Sequence, residues 1–280
     1  MNKGIRLWEC VESNNSNGCN KFGSFPKSTK KFIAFTLAET LIVMGIIGIV
    51  ATLTIPNLNS STNNMEKVTK VKKIYAELTQ AHERATAVYG PVETWFTNLP
   101  TGTNESQRYF DRITEFMKLQ KSCRTGGSNC GKFYMKGTSY TKNTAVVLIS
   151  GAVVGIDIFS SSCNNSYTGF DKIRDRCGVI YVDIDGKDKG KNTFAIDQFA
   201  FNVGKRGIKP AGDYEYVDTY LNVIGVSSIK ITYSDKYNVV AGWVIENGNM
   251  DYLDVDSDGK CKNNPSRILG YGEGMVQSCK

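Results

Sequence analysis

Histidine is almost missing from this chain: His82 is the only one in 280 residues. That speaks against a zinc site and against a histidine-based catalytic triad, both of which draw on imidazole. No two cysteines form a C-x-x-C pair, which removes the usual thiolate cluster. Charge of one sign is also scarce once the N-terminus is set aside. Of the net +7, Lys3, Arg6, Lys21, Lys27, Lys30 and Lys31 against Glu9 and Glu12 supply +4 within residues 1–34. The remainder is nearly balanced, so bulk charge gives no argument for nucleic acid. The distal half carries no nucleophile–base motif, and the chain is not read as an enzyme.

What the chain has is one long apolar run. Phe35 to Ile55 is 21 residues with a single charge, Glu39. A bilayer-crossing helix needs about 20 residues. Lys27, Lys30 and Lys31 stand just before the run and favour a cytoplasmic N-terminus with the rest exported. A secretory signal peptide fits poorly, because its apolar core spans only about 7–15 residues and ends at a small-residue cleavage site. A plain signal anchor explains the length and the lysines but not Glu39. A carboxylate in lipid costs about 2.5–3.5 kcal/mol on insertion scales. A cut between Ala34 and Phe35 would create an α-amine on Phe35, a partner for Glu39 in the same chain or a neighbour. The alternative is that Glu39 only complements its own helix dipole.

Beyond the run, Met65, Val68, Val71, Tyr75, Leu78, Ala81, Ala85 and Tyr89 recur at steps of three and four. That spacing predicts an amphipathic helix, ended by Gly90-Pro91. Helix from Phe35 to Tyr89 would measure roughly 80 Å at 1.5 Å per residue, with a kink at Pro56. The lysines at 67, 70 and 73 read as a solvated face, with a lipid or nucleic-acid patch as the alternative. His82 reads as a surface or interface residue.

Residues 91–280 read as one exported globular α+β head, with antiparallel strands separated by turn residues. Glu105–Leu119 is predicted helical and Asp213–Val223 is a candidate short helix. Strands are predicted at Ala145–Ile149, Ala152–Phe159, Val179–Ile184, Phe194–Phe201, Ile229–Tyr233 and Val239–Ile245. Six of the eight cysteines lie in this part, which suits an oxidising compartment. Of fifteen possible connectivities, local closure predicts Cys123–Cys130, Cys163–Cys177 and Cys261–Cys279. No cofactor is required. Calcium is a candidate ligand at Asp254, Asp256 and Asp258, whose alternate aspartates precede a turn glycine, although an EF-hand would need an acid where Pro265 stands. A solvated acidic turn is the competing reading there. Asp183, Asp185 and Asp188 form a weaker second set.

Lys30-Lys31-Phe32-Ile33-Ala34-Phe35-Thr36-Leu37-Ala38-Glu39-Thr40-Leu41 resembles the processing site of type IV prepilins and type II secretion pseudopilins. That family has basic residues, a glycine, a cut before phenylalanine and glutamate at the fifth mature position. Ala34 stands here in place of the glycine. Pro56 falls at the twenty-second mature position, where the family often has a helix-kinking proline. The stretch Val182–Lys187 through Asn192 and Asp197–Phe201 is similar to a strand–turn–strand stretch of the family's heads, and Trp243–Tyr252 to a C-terminal segment of pilin-like proteins.

The resemblance implies a pilin-like α+β fold, with a long kinked helix packed on an antiparallel sheet. The divisions would be a leader at 1–34, a transmembrane and filament-core half at 35–56, an amphipathic half at 57–90 and the head at 91–280. It implies cutting between Ala34 and Phe35 by prepilin peptidase, N-methylation of Phe35 and docking guided by Glu39. The chain would be a structural subunit of a type IV pilus or a type II secretion pseudopilus, placed single-pass in a bacterial inner membrane and then in an extracytoplasmic filament. Its partners would be other pilin-like subunits, the peptidase, the inner-membrane assembly machinery and membrane lipid; nucleic acid is not expected. The alternative is a minor pilin-like binding subunit for DNA uptake or adhesion.

Overall fold

The computed structural model describes residues 36–123, 133–135, 138–140, 144–164, 175–186, 189–212, 228–231 and 236–280; side chains at 53–62, 133–135, 138–140, 229 and 236–239 lie outside this set. Ala34, Phe35, Cys130, Asp188 and the expected helix at 213–223 lie outside the described residues. The chain divides into two compact units, Met1–Thr52 and Leu53–Lys280.

One helix, α1 (Leu37–Tyr89), belongs to both units. Its start is capped by its own sequence. The Thr36 backbone N–H and hydroxyl each donate to Glu39 Oε2 at 2.9 Å, and the Glu39 N–H donates back to Thr36 Oγ1 at 3.3 Å. This reciprocal pair satisfies donors that a helix start otherwise leaves open. Helical backbone continues through Pro56.

In the second unit, α1 lays its periodic stripe into the core. Val68, Val71, Ile74, Leu78, Ala81 and Ala85 are all buried. They recur at steps of three and four and so share one face. Gly90, at φ +80°, follows the last helical residue and lets the chain turn away. A short 3₁₀ turn (Val92–Phe96) and α2 (Glu105–Thr114) come next, the latter capped by Asn104, whose side chain accepts the Gln107 N–H.

The core sheet has six strands: β1 (Leu119–Cys123), β4 (Ala145–Leu148), β5 (Val153–Ile158), β6 (Arg176–Asp183), β7 (Gln198–Gly204) and β8 (Gly207–Pro210). Their order is β1-β4-β5-β6-β7-β8 and every pair is antiparallel. β2 (Phe133–Met135) and β3 (Thr138–Tyr140) form a separate hairpin. Helix α3 (Lys236–Asn247) follows β9 (Ser228–Lys230), and β10 (Lys260–Cys261), β11 (Asn264–Ile268) and β12 (Gly270–Gly272) complete the chain in two small ladders, β10–β11 and β9–β12. The fold is therefore α+β with an antiparallel sheet. Tyr75 of α1 stacks on Phe201 of β7 at 5.5 Å and donates its hydroxyl to the Ile208 carbonyl at 3.2 Å, joining helix to sheet.

Four expectations need correction. Val239–Ile245 is not a strand but the middle of α3. Val240, Ala241, Trp243 and Val244 are buried, a three-and-four spacing that suits a helix face as well as a short apolar strand. The helix predicted to Leu119 ends at Thr114, and Leu119 instead opens β1, paired with Leu148. The strand predicted from Phe194 starts only at Gln198, because residues 191–197 turn around the Asp197 carboxylate. His82 is not at the surface: it is 3% exposed and faces Tyr109.

Two disulfides match the expected order, Cys163–Cys177 and Cys261–Cys279. Cys123 is also disulfide-bonded; its expected partner Cys130 lies outside the described residues. Replacing Cys261 and Cys279 by serine is expected to cost about 2–4 kcal/mol, since the bridge closes a loop of 18 residues in the unfolded chain. Thermal melts of the full chain in detergent, with and without reductant, check this: the variant should melt lower and no longer respond to this bridge's reduction.

Candidate functional site

The candidate assembly segment is the start of α1. Every large apolar side chain between Leu37 and Val50 is more than half exposed. Glu39 is the only ionisable side chain between Leu37 and Ile55. Its carboxylate is held by Thr36 and no cation is bonded to it among the described residues. The T-x-x-E pattern of a capping box was present in the sequence at Thr36 and Glu39, and it is the signal that identifies Thr36 as Glu39's partner. Among the described residues no helix is long and apolar enough to cross a membrane. The apolar run itself begins at Phe35, before the described residues, and ends at Ile55, among side chains outside them.

A second polar constellation sits at the β6–β7 connection. Asp197 is fully buried. Its Oδ2 accepts the N–H groups of Lys191 at 2.6 Å and Asn192 at 2.8 Å, and its Oδ1 accepts that of Thr193 at 2.6 Å. The loop is thus wrapped around one carboxylate. Gly190, at φ +67°, must be glycine, because a Cβ there would lie 2.6 Å from Asp197 Oδ2 and 2.8 Å from Asp185 Oδ2.

Asp183 ends β6 and is 2% exposed. Its Oδ1 accepts the Asp185 and Gly186 N–H groups, and its Oδ2 accepts Gln198 Nε2 at 3.0 Å. Burial pushes its carboxyl up to about 6, against the pull of those hydrogen bonds. Asp185 turns the other way and takes Lys70 Nζ of α1 at 3.0 Å. Lys70 also pairs with Glu66 at 3.1 Å. Asp185, then Glu66, hold its ammonium pKa up. With Lys70 40% exposed, this bridge is worth at most about 1 kcal/mol.

The acidic turn at 254–258 is closed by backbone. Asp256 Oδ1 accepts the N–H groups of Asp258 at 2.8 Å and Lys260 at 2.9 Å. Those bonds, the Lys260 N–H first, hold the Asp256 carboxyl below its ordinary range. Asp254, Asp256 and Asp258 are all exposed. Among the described residues no group of three histidine, cysteine or acidic side chains could hold a metal ion.

The chain's last residues are tied to the head. Asp251 Oδ2 accepts the Ser278 hydroxyl at 2.7 Å and the Cys279 N–H at 2.8 Å, and Arg267 Nη2 donates to the Ser278 carbonyl at 2.9 Å. Trp243 donates to Asn249, whose amide reaches the Gln277 carbonyl. The Trp243–Tyr252 segment singled out by sequence is therefore a fastening for residues 277–279. Compared with family models, curated proteins and solved structures, the chain matches none.

Proposed function

We propose that this chain is a structural subunit of a type IV pilus or type II secretion pseudopilus, assembled through the N-terminal part of α1. The observation that carries this reading is a helix start whose apolar side chains are exposed on every face around one acid, Glu39. Exposed apolar surface on that scale must be covered by lipid or by other chains. One segment can serve both stages, since the helix leaves lipid only when it is buried again among like helices. Cutting before Phe35 would place a new amine next to Glu39, and the amine of a neighbouring copy could replace Thr36 as the carboxylate's partner. The exchange sets a full positive charge against the carboxylate where Thr36 offers only neutral donors. In this reading calcium is not needed for assembly and no catalytic step is assigned.

Two measurements test this. The chain co-expressed with a prepilin peptidase should yield a membrane-extracted product starting at Phe35, with or without one added methyl, by intact mass and N-terminal sequencing. The Glu39→Gln variant should be processed normally but fail to enter filaments. A product that still carries residues 1–34, where a control prepilin is cut, overturns the reading.

A further inference from the structure

His82 sits where α1 is covered by the 92–114 segment. Its Nδ1 lies 2.8 Å from the Tyr109 hydroxyl of α2, and its ring is 6.0 Å from that of Trp95 in the 3₁₀ turn. His82, Trp95 and Tyr109 are each at most 3% exposed. Leu78, Ala81 and Ala85, one turn either side on the same face of α1, are equally dry. Among the described residues of α1, the single imidazole of the chain is the one polar side chain in the buried class, and it meets the covering segment through one hydrogen bond.

We propose that His82 and Tyr109 form an acid-released latch that holds the 92–114 segment against α1. In the neutral state one hydrogen bond joins Nδ1 to the Tyr109 hydroxyl, whichever of them donates. Protonating the imidazole places a cation in a dry interface. Tyr109 cannot neutralise it, since burial raises the phenol far above its ordinary range and it stays un-ionised. Among the described residues no carboxylate pairs with His82, and burial alone pushes its pKa down to about 4. The charged groups around His82 on the elements meeting here are Glu83 and Arg84 on α1, Glu93 in the 3₁₀ turn, Glu105, Arg108, Asp111 and Arg112 on α2, and Glu115 just beyond it; Asp111 Oδ1 accepts from Gln107 Nε2 at 2.9 Å. Glu83 and Arg84 are exposed, and the Glu115 carboxylate takes the Tyr89 hydroxyl. Arg112 stacks on Tyr89 and Trp95, 4.7 and 5.2 Å from their ring centroids, so the cation organised nearby has the same sign as a protonated His82. No hydrogen bond ties Glu93 Oε2, which is buried in the 3₁₀ turn, to His82, and a cation there is relieved by letting water in, which means lifting the 92–114 segment.

The sign follows from linkage: opened, the imidazole titrates at its ordinary 6.5, and docked it resists protonation. Opening should become about tenfold easier per pH unit between about pH 6 and 4.5. Hydrogen exchange on the full chain in detergent tests this, corrected for intrinsic exchange. Peptides covering 92–114 should lose protection by that factor while β6–β7 peptides do not. Both His82→Gln and His82→Phe should abolish the pH response, the second without any hydrogen bond to Tyr109. Since the chain has one histidine, its imidazole signal by NMR is unambiguous and should titrate well below 6.5. A titration at about 6.5, a pH response unchanged in both variants, or equal loss of protection in β6–β7 would each overturn the latch.

Discussion

Replacing Asp197 with alanine is expected to lower the unfolding free energy of the head by about 4 kcal/mol. The change removes a fully buried carboxylate and leaves the Lys191, Asn192 and Thr193 N–H groups, all in part-buried hydrogen bonds, without their acceptor. Each buried donor left unsatisfied costs about 1–3 kcal/mol. Asp197→Asn should cost less, because one amide oxygen can still serve the Lys191 and Asn192 pair, while its NH₂ is turned against the Thr193 N–H. Urea denaturation of both variants, in the full chain in detergent, gives the comparison. A midpoint for Asp197→Ala within 1 kcal/mol of the parent, at equal slope, would show that the loop does not depend on this carboxylate. The neighbourhood supports a large value. Ala195 is held at φ +72°, with its N–H on the Gln198 carbonyl and its own carbonyl taking the Tyr252 hydroxyl. Such a backbone persists only where its surroundings fix it.

Replacing Asp183 with asparagine should change how stability responds to pH rather than stability alone. Folded, the Asp183 carboxyl sits near 6 instead of 3.8, so the native state holds its proton more tightly than the unfolded chain. That contribution is fully present below about pH 3.8 and is lost as pH rises through 6, a span worth about 3 kcal/mol at 1.36 kcal/mol per unit. His82 acts in the opposite sense. Its folded value of about 4 lies below the unfolded 6.5, so stability falls as pH drops between those values, by about 3 kcal/mol. The parent should therefore look almost indifferent to pH between about 4 and 6 because two buried groups offset each other. Asp183→Asn should remove that indifference and become steadily less stable on acidification. Asparagine can keep the Asp185 and Gly186 N–H bonds through its oxygen, with Gln198 turning its carbonyl to the new NH₂. Melts from pH 7 to 4 decide it: parallel curves for parent and variant would mean that Asp183 does not titrate in this range.

Much of the architecture was legible in the sequence, for definable reasons. The stripe from Val68 to Ala85 declared itself by spacing, because one face of a long helix repeats often enough to be read. The strands at Ala145–Leu148, Val153–Ile158 and Arg176–Asp183 were marked by runs of β-branched residues between turns. Val239–Ile245 was not separable, since seven apolar residues satisfy both periods and only burial against the sheet decides. The carboxylates show the other limit. Asp183 and Asp197 were visible as acids near a turn, but their roles depend on which backbone N–H groups the loop brings round, a property of the closed fold. His82 was misread because its environment is made by Trp95 and Tyr109, thirteen and twenty-seven residues downstream. Of the candidate site, Glu39 stood out by its charge, and Thr36 was readable through the capping pattern.

The order of strands carries a further consequence, for how fast the head can form. From β4 to β8 each strand lies beside the next in sequence, and within this sheet only the β1–β4 pair skips over other described strands. Loop closure for such a meander joins short lengths of chain, so the rate-limiting search is brief compared with sheets whose neighbours are far apart. The Cys163–Cys177 bridge falls inside one of these hairpins, between β5 and β6, with only 14 residues between its ends. Oxidation can then follow pairing of the two strands rather than precede it, because Cys177 is the cysteine nearest to Cys163 in sequence.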